Sequence, residues 1–178
     1  MGFTILQWNS HSIFKKWHEL NYLSTLDNLL NVLCIQESHL TPKYQLSIPH
    51  YHVIHKDRPP SKGKGGGLMV CVKTSLDFSK IDVAFPSSSN LEVLGIAVYD
   101  FSIFIIYNPP SNPLTPAFFD FLSNVAKVIL CGDFNALHGM WGSVYTNCSG
   151  RSLVWSSRRT RLSCIKYYYT YPSFIHLT

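Results

Sequence analysis

The chain has 178 residues, 46% hydrophobic and 14% charged, with 15 basic against 10 acidic side chains. That composition buries a core and is that of a globular chain, not a disordered one. It also excludes a helical membrane anchor, because no apolar run nears the ~20 residues a bilayer requires, and the best stretch, Leu94 to Tyr107, is interrupted by Asp100.

Met1 to Ser10 has no basic flank and enters a strand-like run at once, unlike a secretory leader. The cysteines, Cys34, Cys71, Cys131, Cys148 and Cys164, form no CxxC pair. Three lie inside apolar runs, which reads as buried reduced thiols rather than disulfides or zinc ligands. Asn147-Cys148-Ser149 fits the glycosylation pattern, but nothing points to secretion. Met1 to Asp133 carries 10 acids and 10 bases, whereas Phe134 to Thr178 carries no acid and five bases, Arg151, Arg158, Arg159, Arg161 and Lys166. A one-sided basic segment suits a polyanion, against the plain alternative of a solvated surface or a degenerate tail.

In chain order, Phe3 to Trp8 alternates and ends at Asn9, a strand leading to a polar group. Lys15 to Asn31 spaces Trp17, Leu20, Leu23 and Leu30 as a helix. Val32 to Ile35 is a short apolar strand ending at Gln36-Glu37. Tyr51 to His55 reads as an edge strand, Pro59 to Gly67 as a loop, and Leu68 to Val72 as a strand. Leu91 to Tyr99 and Phe101 to Tyr107 form a hairpin turning near Asp100. Asn108 to Pro116 is too rich in proline for regular structure. Thr115 to Asn124 is a short helix with Pro116 in its first turn. Val128 to Cys131 is a buried strand running into Gly132-Asp133-Phe134-Asn135. Ser152 to Cys164 is ambiguous, with a helix from Leu153 weakened by its serines, and Lys166 to Tyr171 is strand-like. No repeat or linker divides residues 1–178, so one domain of α+β layered type is expected, with sheets inside and helices outside.

Apolar strands thus end in Asn9, Glu37 and Asp133/Asn135, and strand ends are where layered folds collect their sites. Glu37 and Asp133 are hard oxygen ligands of the kind magnesium prefers. Asn9 and Asn135 orient water or phosphate without adding negative charge, and Tyr107 can donate to a phosphoryl oxygen. Phosphodiester hydrolysis needs such parts. Taken singly, a strand-end acid is more often a turn residue and a tyrosine more often core.

Gln7-Trp8-Asn9, Ile35-Gln36-Glu37, Ile106-Tyr107-Asn108-Pro109-Pro110 and Gly132-Asp133-Phe134-Asn135-Ala136 occur in the order of the endonuclease/exonuclease/phosphatase family, which the chain resembles over nearly its whole length. His138-Gly139-Met140-Trp141-Gly142-Ser143, Gly65-Gly66-Gly67 and Pro172-Ser173-Phe174-Ile175-His176 make it similar to the AP-endonuclease-like domains of non-LTR retrotransposons of the LINE or jockey sort. The resemblance implies a four-layer α/β sandwich of two packed mixed sheets with outer helices. It implies Mg2+ or Mn2+ held at Glu37 with Asn9 assisting. Asp133, Asn135, Tyr107 and Asn9 are then the catalytic group, and Tyr107, His138, Trp141 and Arg58 the substrate contacts. DNA is the implied partner, with no membrane, a monomeric state, a nuclear location, and a parent polypeptide bearing a reverse transcriptase.

The chain departs from the family in two places. His11 stands where many members carry an acid two places after the first Asn. No acid follows Asp133, so the family's closing Asp-His motif is missing, and His176 is not preceded by Asp. The expectation is a domain incomplete at its C-terminus, lacking its last strands.

The cationic loop of Lys56, Arg58, Lys62 and Lys64 suits a phosphate backbone or a flexible tip. Trp141 suits packing under the site loop more than stacking on a base. His39, His50, His52 and His55 show no zinc spacing and read as loop histidines. Tyr167 to Tyr169 cannot all share one strand face. Four readings follow: a purely structural protein, which leaves the ordered strand-end polar groups unexplained, a metal-dependent DNA-nicking endonuclease, an inactive nucleic-acid-binding remnant of one, or a phosphoinositide or sphingomyelin phosphodiesterase. The Tyr-Asn-Pro-Pro and His-x-x-Trp-Gly runs argue against the last.

Overall fold

The computed structural model describes residues 2–25, 30–83, 90–110, 112–159, 163–166 and 173–177. The strands are β1 (Phe3–Asn9), β2 (Val32–Gln36), β3 (Tyr51–Lys56), β4 (Leu68–Lys73), β5 (Phe78–Ile81), β6 (Glu92–Val98), β7 (Phe101–Tyr107), β8 (Val128–Asp133), β9 (Ser163–Lys166) and β10 (Ser173–Leu177). The helices are α1 (Trp17–Thr25), α2 (Pro116–Ser123) and α3 (Cys148–Arg159), with a 3-10 turn at Ile13–Lys16 ahead of α1.

The strands form two five-stranded mixed sheets, ordered β10-β1-β2-β4-β3 and β5-β6-β7-β8-β9. Most strands read as continuous apolar runs because both of their faces are buried. Side chains alternate across a strand, so Ile5, Val32, Cys34 and Val70 of the first sheet meet Ile96, Ile103, Ile105 and Cys131 of the second in one inner core. The intervening residues Leu6, Trp8, Leu33 and Ile35 pack outward under Ile13, Leu20 and Leu23. On the far side, Phe104, Ile106 and Leu130 pack outward under Phe118, Leu122 and Leu153. The result is the expected four layers, helix, sheet, sheet, helix.

The same alternation aims the functional ends. On β1 the inward positions run Ile5, Gln7, Asn9; on β7 they run Ile103, Ile105, Tyr107; on β8 they run Ile129, Cys131, Asp133. β1 and β2 are parallel, as are β7 and β8, so these polar groups gather at one end of the inter-sheet space.

Several expectations change. The helix over Lys15 to Asn31 is shorter: it is α-helical over Trp17–Thr25, residues 26–29 lie outside the described set, and Asn31 is not helical. Ser24 and Thr25 turn their hydroxyls onto the carbonyls of Asn21 and Tyr22, an alternative to continuing the helix. Asn31 instead leads into β2, its side-chain oxygen accepting from the Thr4 amide of β1 at 2.8 Å. In the ambiguous stretch Ser152 to Cys164, α3 starts earlier, at Cys148, and runs to Arg159, residues 160–162 lie outside the described set, and Ser163 opens β9. Asn147 caps α3: its Oδ1 accepts from the Gly150 amide at 2.8 Å. Leu153, Val154 and Ser156 are buried, so packing overrides the weak propensity of the serines. The strand expected over Lys166 to Tyr171 is seen only as β9, ending at Lys166, and the tyrosine triplet falls outside the described residues. Two strands were not foreseen, β5 and β10. The latter pairs antiparallel with β1, placing His176 opposite Thr4.

Candidate active site

Asn9 is the hub. Its Nδ2 donates to Glu37 Oε1 at 2.9 Å and to Asp133 Oδ2 at 3.0 Å, joining a strand-end acid of each sheet. Asn9 is 7% exposed and Glu37 9%, so the bridge forms in a partly desolvated setting. A carboxamide can do this where a third carboxylate would repel both partners.

Glu37 is turned into place by backbone. β2 ends at Gln36, and Glu37 and His39 take positive φ, 50° and 54°. The Ser12 and Ile13 amides bond the Glu37 and Ser38 carbonyls at 2.8 and 3.1 Å, and the Ser38 and His39 amides bond the Gly67 and Gly66 carbonyls, both at 3.1 Å. The glycines are required here: a Cβ on Gly67, whose φ is +84°, would meet Ser38 Oγ at 2.8 Å. Left-handed residues packed this closely hold a conformation that local preference would not choose, a common feature of sites. Beneath, Gln7 Nε2 donates to Gln36 Oε1 at 2.6 Å, joining two buried amides one layer below Asn9.

The other Glu37 oxygen faces histidines. His11 Nδ1 lies 2.7 Å from Oε2 and His39 Nε2 lies 3.5 Å from it. His11 therefore occupies the acid position noted in the sequence and still contacts Glu37. His39, read there as a loop histidine, stands at the site, placed by the positive-φ turn that sequence spacing does not reveal.

Asp133 and Asn135 form a second unit. Asp133 Oδ1 accepts from the Asn135 amide at 3.0 Å, an Asx turn that carries the chain off β8. Asn135 Nδ2 donates to the Asn108 carbonyl at 2.8 Å. Asn108, fully buried, donates through Nδ2 to the carbonyls of Phe134 and Asn112, both at 2.9 Å. Asn147 closes the loop from the other side: Nδ2 donates to the Asn135 carbonyl at 2.8 Å, and Oδ1 accepts from Leu137 N at 3.0 Å. The glycosylation-like triplet is thus a structural staple with its amide nitrogen engaged. Sequence reasoning missed Asn108 and Asn147 as site-forming residues. The available signals were an Asn at a buried strand end and an Asn just ahead of a helix.

Tyr107 sits in register beside Asp133. Burial, with the Glu37 and Asp133 carboxylates nearby, pushes its phenol up to about 12. The group therefore stays protonated and is suited to donate. The Arg58 guanidinium carbon lies 6.0 Å from the Tyr107 ring centroid, and Arg58 Nη1 lies 3.2 Å from Glu92 Oε1 with both side chains nearly buried. Glu92 also accepts the Gly67 amide at 2.6 Å, and burial raises its carboxyl. Arg58 is held behind Tyr107 by this pair rather than standing in open solvent. Lys56 is similarly tied, donating to the Val93 carbonyl at 3.0 Å.

His138 and Trp141 build the neighbouring loop. His138 Nδ1 accepts the Met140 amide at 3.1 Å, and Trp141 Nε1 donates to the Ala136 carbonyl at 3.2 Å. Their rings stand 5.3 Å apart, so the indole packs under the loop. His176 lies elsewhere: its Nδ1 is 3.1 Å from Thr4 Oγ1, near the opposite end of β1. Among the described residues, no three His, Cys, Asp or Glu side chains form a metal-holding group by themselves. Cys34, Cys71 and Cys131 are buried free thiols, and burial raises the first two.

Residues 101–176 match a family model described as "Endonuclease-reverse transcriptase". The chain is 23% identical over 150 residues to "RNA-directed DNA polymerase from mobile element jockey" of Drosophila funebris, and 25% over 155 residues to that of Drosophila melanogaster. Each match covers 82% of this chain and 16% of the relative, so the chain spans about a sixth of those relatives' length. The endonuclease domain of TRAS1, a telomere-specific non-LTR retrotransposon, superposes with a TM-score of 0.60 at 18% identity, covering 88% of this chain and 70% of that one. The AP endonuclease LMAP from Leishmania major superposes with a TM-score of 0.64 at 15% identity, covering 89% and 65%. With the two packed mixed sheets, these matches show the fold of the AP-endonuclease-like structures of the endonuclease/exonuclease/phosphatase type, and a sequence likeness to retrotransposon endonuclease-reverse transcriptase proteins.

Proposed function

We propose that this chain hydrolyses phosphodiester bonds in DNA with the help of a divalent metal, as the nicking endonuclease domain of a retrotransposon polypeptide that also carries a reverse transcriptase. The observation that carries this reading is the Asn9 bridge, which sets Glu37 and Asp133 on one amide between two sheets. The donor set suits Mg2+ or Mn2+, which take one or two carboxylates and complete their shell with water and phosphate oxygens. Glu37 would hold the ion, with Asn9 beside it. When bound, such an ion neutralises charge that develops on the phosphoryl group.

The chain's own groups supply the rest. Asp133 accepts a proton from the attacking water, and its Oδ1 fixes Asn135, which orients that water or the phosphate. Tyr107 remains a phenol at any physiological pH and donates to a phosphoryl oxygen. Arg58, paired with Glu92, positions the Tyr107 ring and adds positive potential behind it. His138 and Trp141 form the wall along which the substrate strand lies.

A second reading, DNA binding without cleavage, draws on the lack of any Asp or Glu between Phe134 and Thr178, which leaves no carboxylate there to orient a histidine. Incubation with supercoiled plasmid and Mg2+ or Mn2+ separates the two. Nicking that EDTA and Asp133→Asn both abolish supports the enzyme. Salt-sensitive plasmid binding with no nicking under any divalent ion supports the binding protein.

A further inference from the structure

Beyond Asn135 the chain passes through a 3-10 turn at Gly139–Trp141 and on to α3. Three apolar side chains on this stretch face solvent: Met140 is 62% exposed, Val144 88% and Tyr145 75%. Exposed apolar groups that cluster usually mark a contact. Here they stand on a stiff support. The Trp141 and Ser143 amides both bond the His138 carbonyl, at 3.2 and 3.3 Å, and the Gly142 amide bonds the Gly139 carbonyl at 3.0 Å. The indole of Trp141 pins the turn from below, and Asn147 ties the returning end to Asn135 and Leu137. The loop thus presents its apolar tips with little entropy left to lose on binding.

Its root is one hydrogen bond from Asn135, which sets the loop next to the Asp133–Asn135 turn. The sequence that follows them is of one sign. The segment from Phe134 onward has no acid and five bases, and Arg151, exposed on the first turns of α3, lines a shallow depression with Ser152, Trp155 and Ser156. A polyanion is drawn to this flank, while Met140 and Val144 have no donor for a phosphate and Tyr145 adds the face of an aromatic ring. They match base faces.

We propose that the Gly139–Thr146 loop is a preformed base-contacting wedge, with Tyr145 stacking on a nucleobase of the DNA strand beside the bond to be cut and Val144 and Met140 holding the neighbouring base step open. This rests on the DNA reading above. It assigns the loop a part in choosing where the strand is cut, since base steps differ in how easily they open.

The test uses the full chain in EDTA, so that no cleavage intervenes, with duplexes carrying 2-aminopurine at successive positions. Wild type is expected to change the fluorescence at one or two adjacent positions. Tyr145→Ala should abolish that change and weaken binding about 5- to 100-fold, the worth of one stacked base, with the salt dependence of binding unaltered. Tyr145→Phe should preserve both. Melting of the variants should match wild type, since the side chain is exposed. If Tyr145→Ala binds with the same affinity and the same fluorescence change, the wedge is overturned while the nuclease reading stands. A change in salt dependence alone also overturns it. A Tyr145-dependent dimer in sedimentation without DNA reassigns the tips to a protein contact. If wild type binds no duplex at any salt concentration, the nuclease reading and the wedge fall together.

Discussion

Asn9 and Asp133 touch across the seam between the two sheets, Nδ2 to Oδ2 at 3.0 Å, although 124 positions separate them in sequence. Removing that amide leaves two partly buried carboxylates without their shared donor. Asn9→Ala should lower the nicking rate about 10²-fold or more, in line with the loss of one organised donor. It should cost stability only about 1–3 kcal/mol. Plasmid nicking and urea unfolding of the same sample check this, and unimpaired nicking would count against the site.

Tyr107 gives a pH signature. Its folded pKa is raised from 10.0 to about 12, so its contribution to stability is complete below pH 10 and is lost as pH climbs through 12. Absorbance titration should show one tyrosine ionising near 12 that Tyr107→Phe removes. That variant should lose less stability than wild type across the same alkaline window. A Tyr107 signal near the ordinary value would contradict the burial and the carboxylate neighbours described for it.

Arg58 and Glu92 form a nearly buried pair, and breaking it should hurt in proportion to Glu92 ionisation. Arg58→Met should destabilise by about 3 kcal/mol at pH 8. Without the guanidinium, the Glu92 carboxyl rises further above its ordinary value. A carboxyl with a raised folded pKa is tolerated at low pH and becomes costly as pH passes through that pKa, so the penalty should shrink at pH 5. Equal penalties at the two pH values in urea unfolding would refute the account.

Gly132 lies where β8 runs closest to β7. A Cβ there would fall 2.0 Å from the Ile106 carbonyl oxygen, a backbone atom that cannot swing away. Gly132→Ala should cost roughly 3 kcal/mol or more and disturb Asp133 next to it. Gly139→Ala, where nothing lies within 4 Å, is the matched control and should be within about 0.5 kcal/mol of wild type. Thermal melting of the pair decides.

The layered fold and the central strands were legible because both faces of those strands are buried, which writes them as short apolar runs. The strand-end residues were legible for the same reason: a polar group closing such a run is conspicuous, and alternation predicts that Asn9, Tyr107 and Asp133 face inward together. Other features hid behind longer-range causes. His39 reaches Glu37 only because Glu37 and His39 adopt left-handed backbone, which depends on contacts with Gly66 and Gly67 far along the chain. Asn147 and Asn108 act through backbone groups, and such partners leave no pattern in spacing. β10 is an edge strand with alternating exposure, Phe174 out and Ile175 in, too short to announce itself. Arg58 looked like a loop cation because its partner Glu92 sits on another sheet.

β10 pairs with β1 along Phe3–Gln7, so β1 waits for a partner that follows it by 172 positions, the separation of Thr4 and His176. Until Ser173–Leu177 has been synthesised, β1 has one unpaired edge, open to any passing strand of another nascent chain. Closure of this sheet is therefore a non-local event, slow by its high contact order, and an aggregation hazard attaches to the interval before β1 and β10 pair.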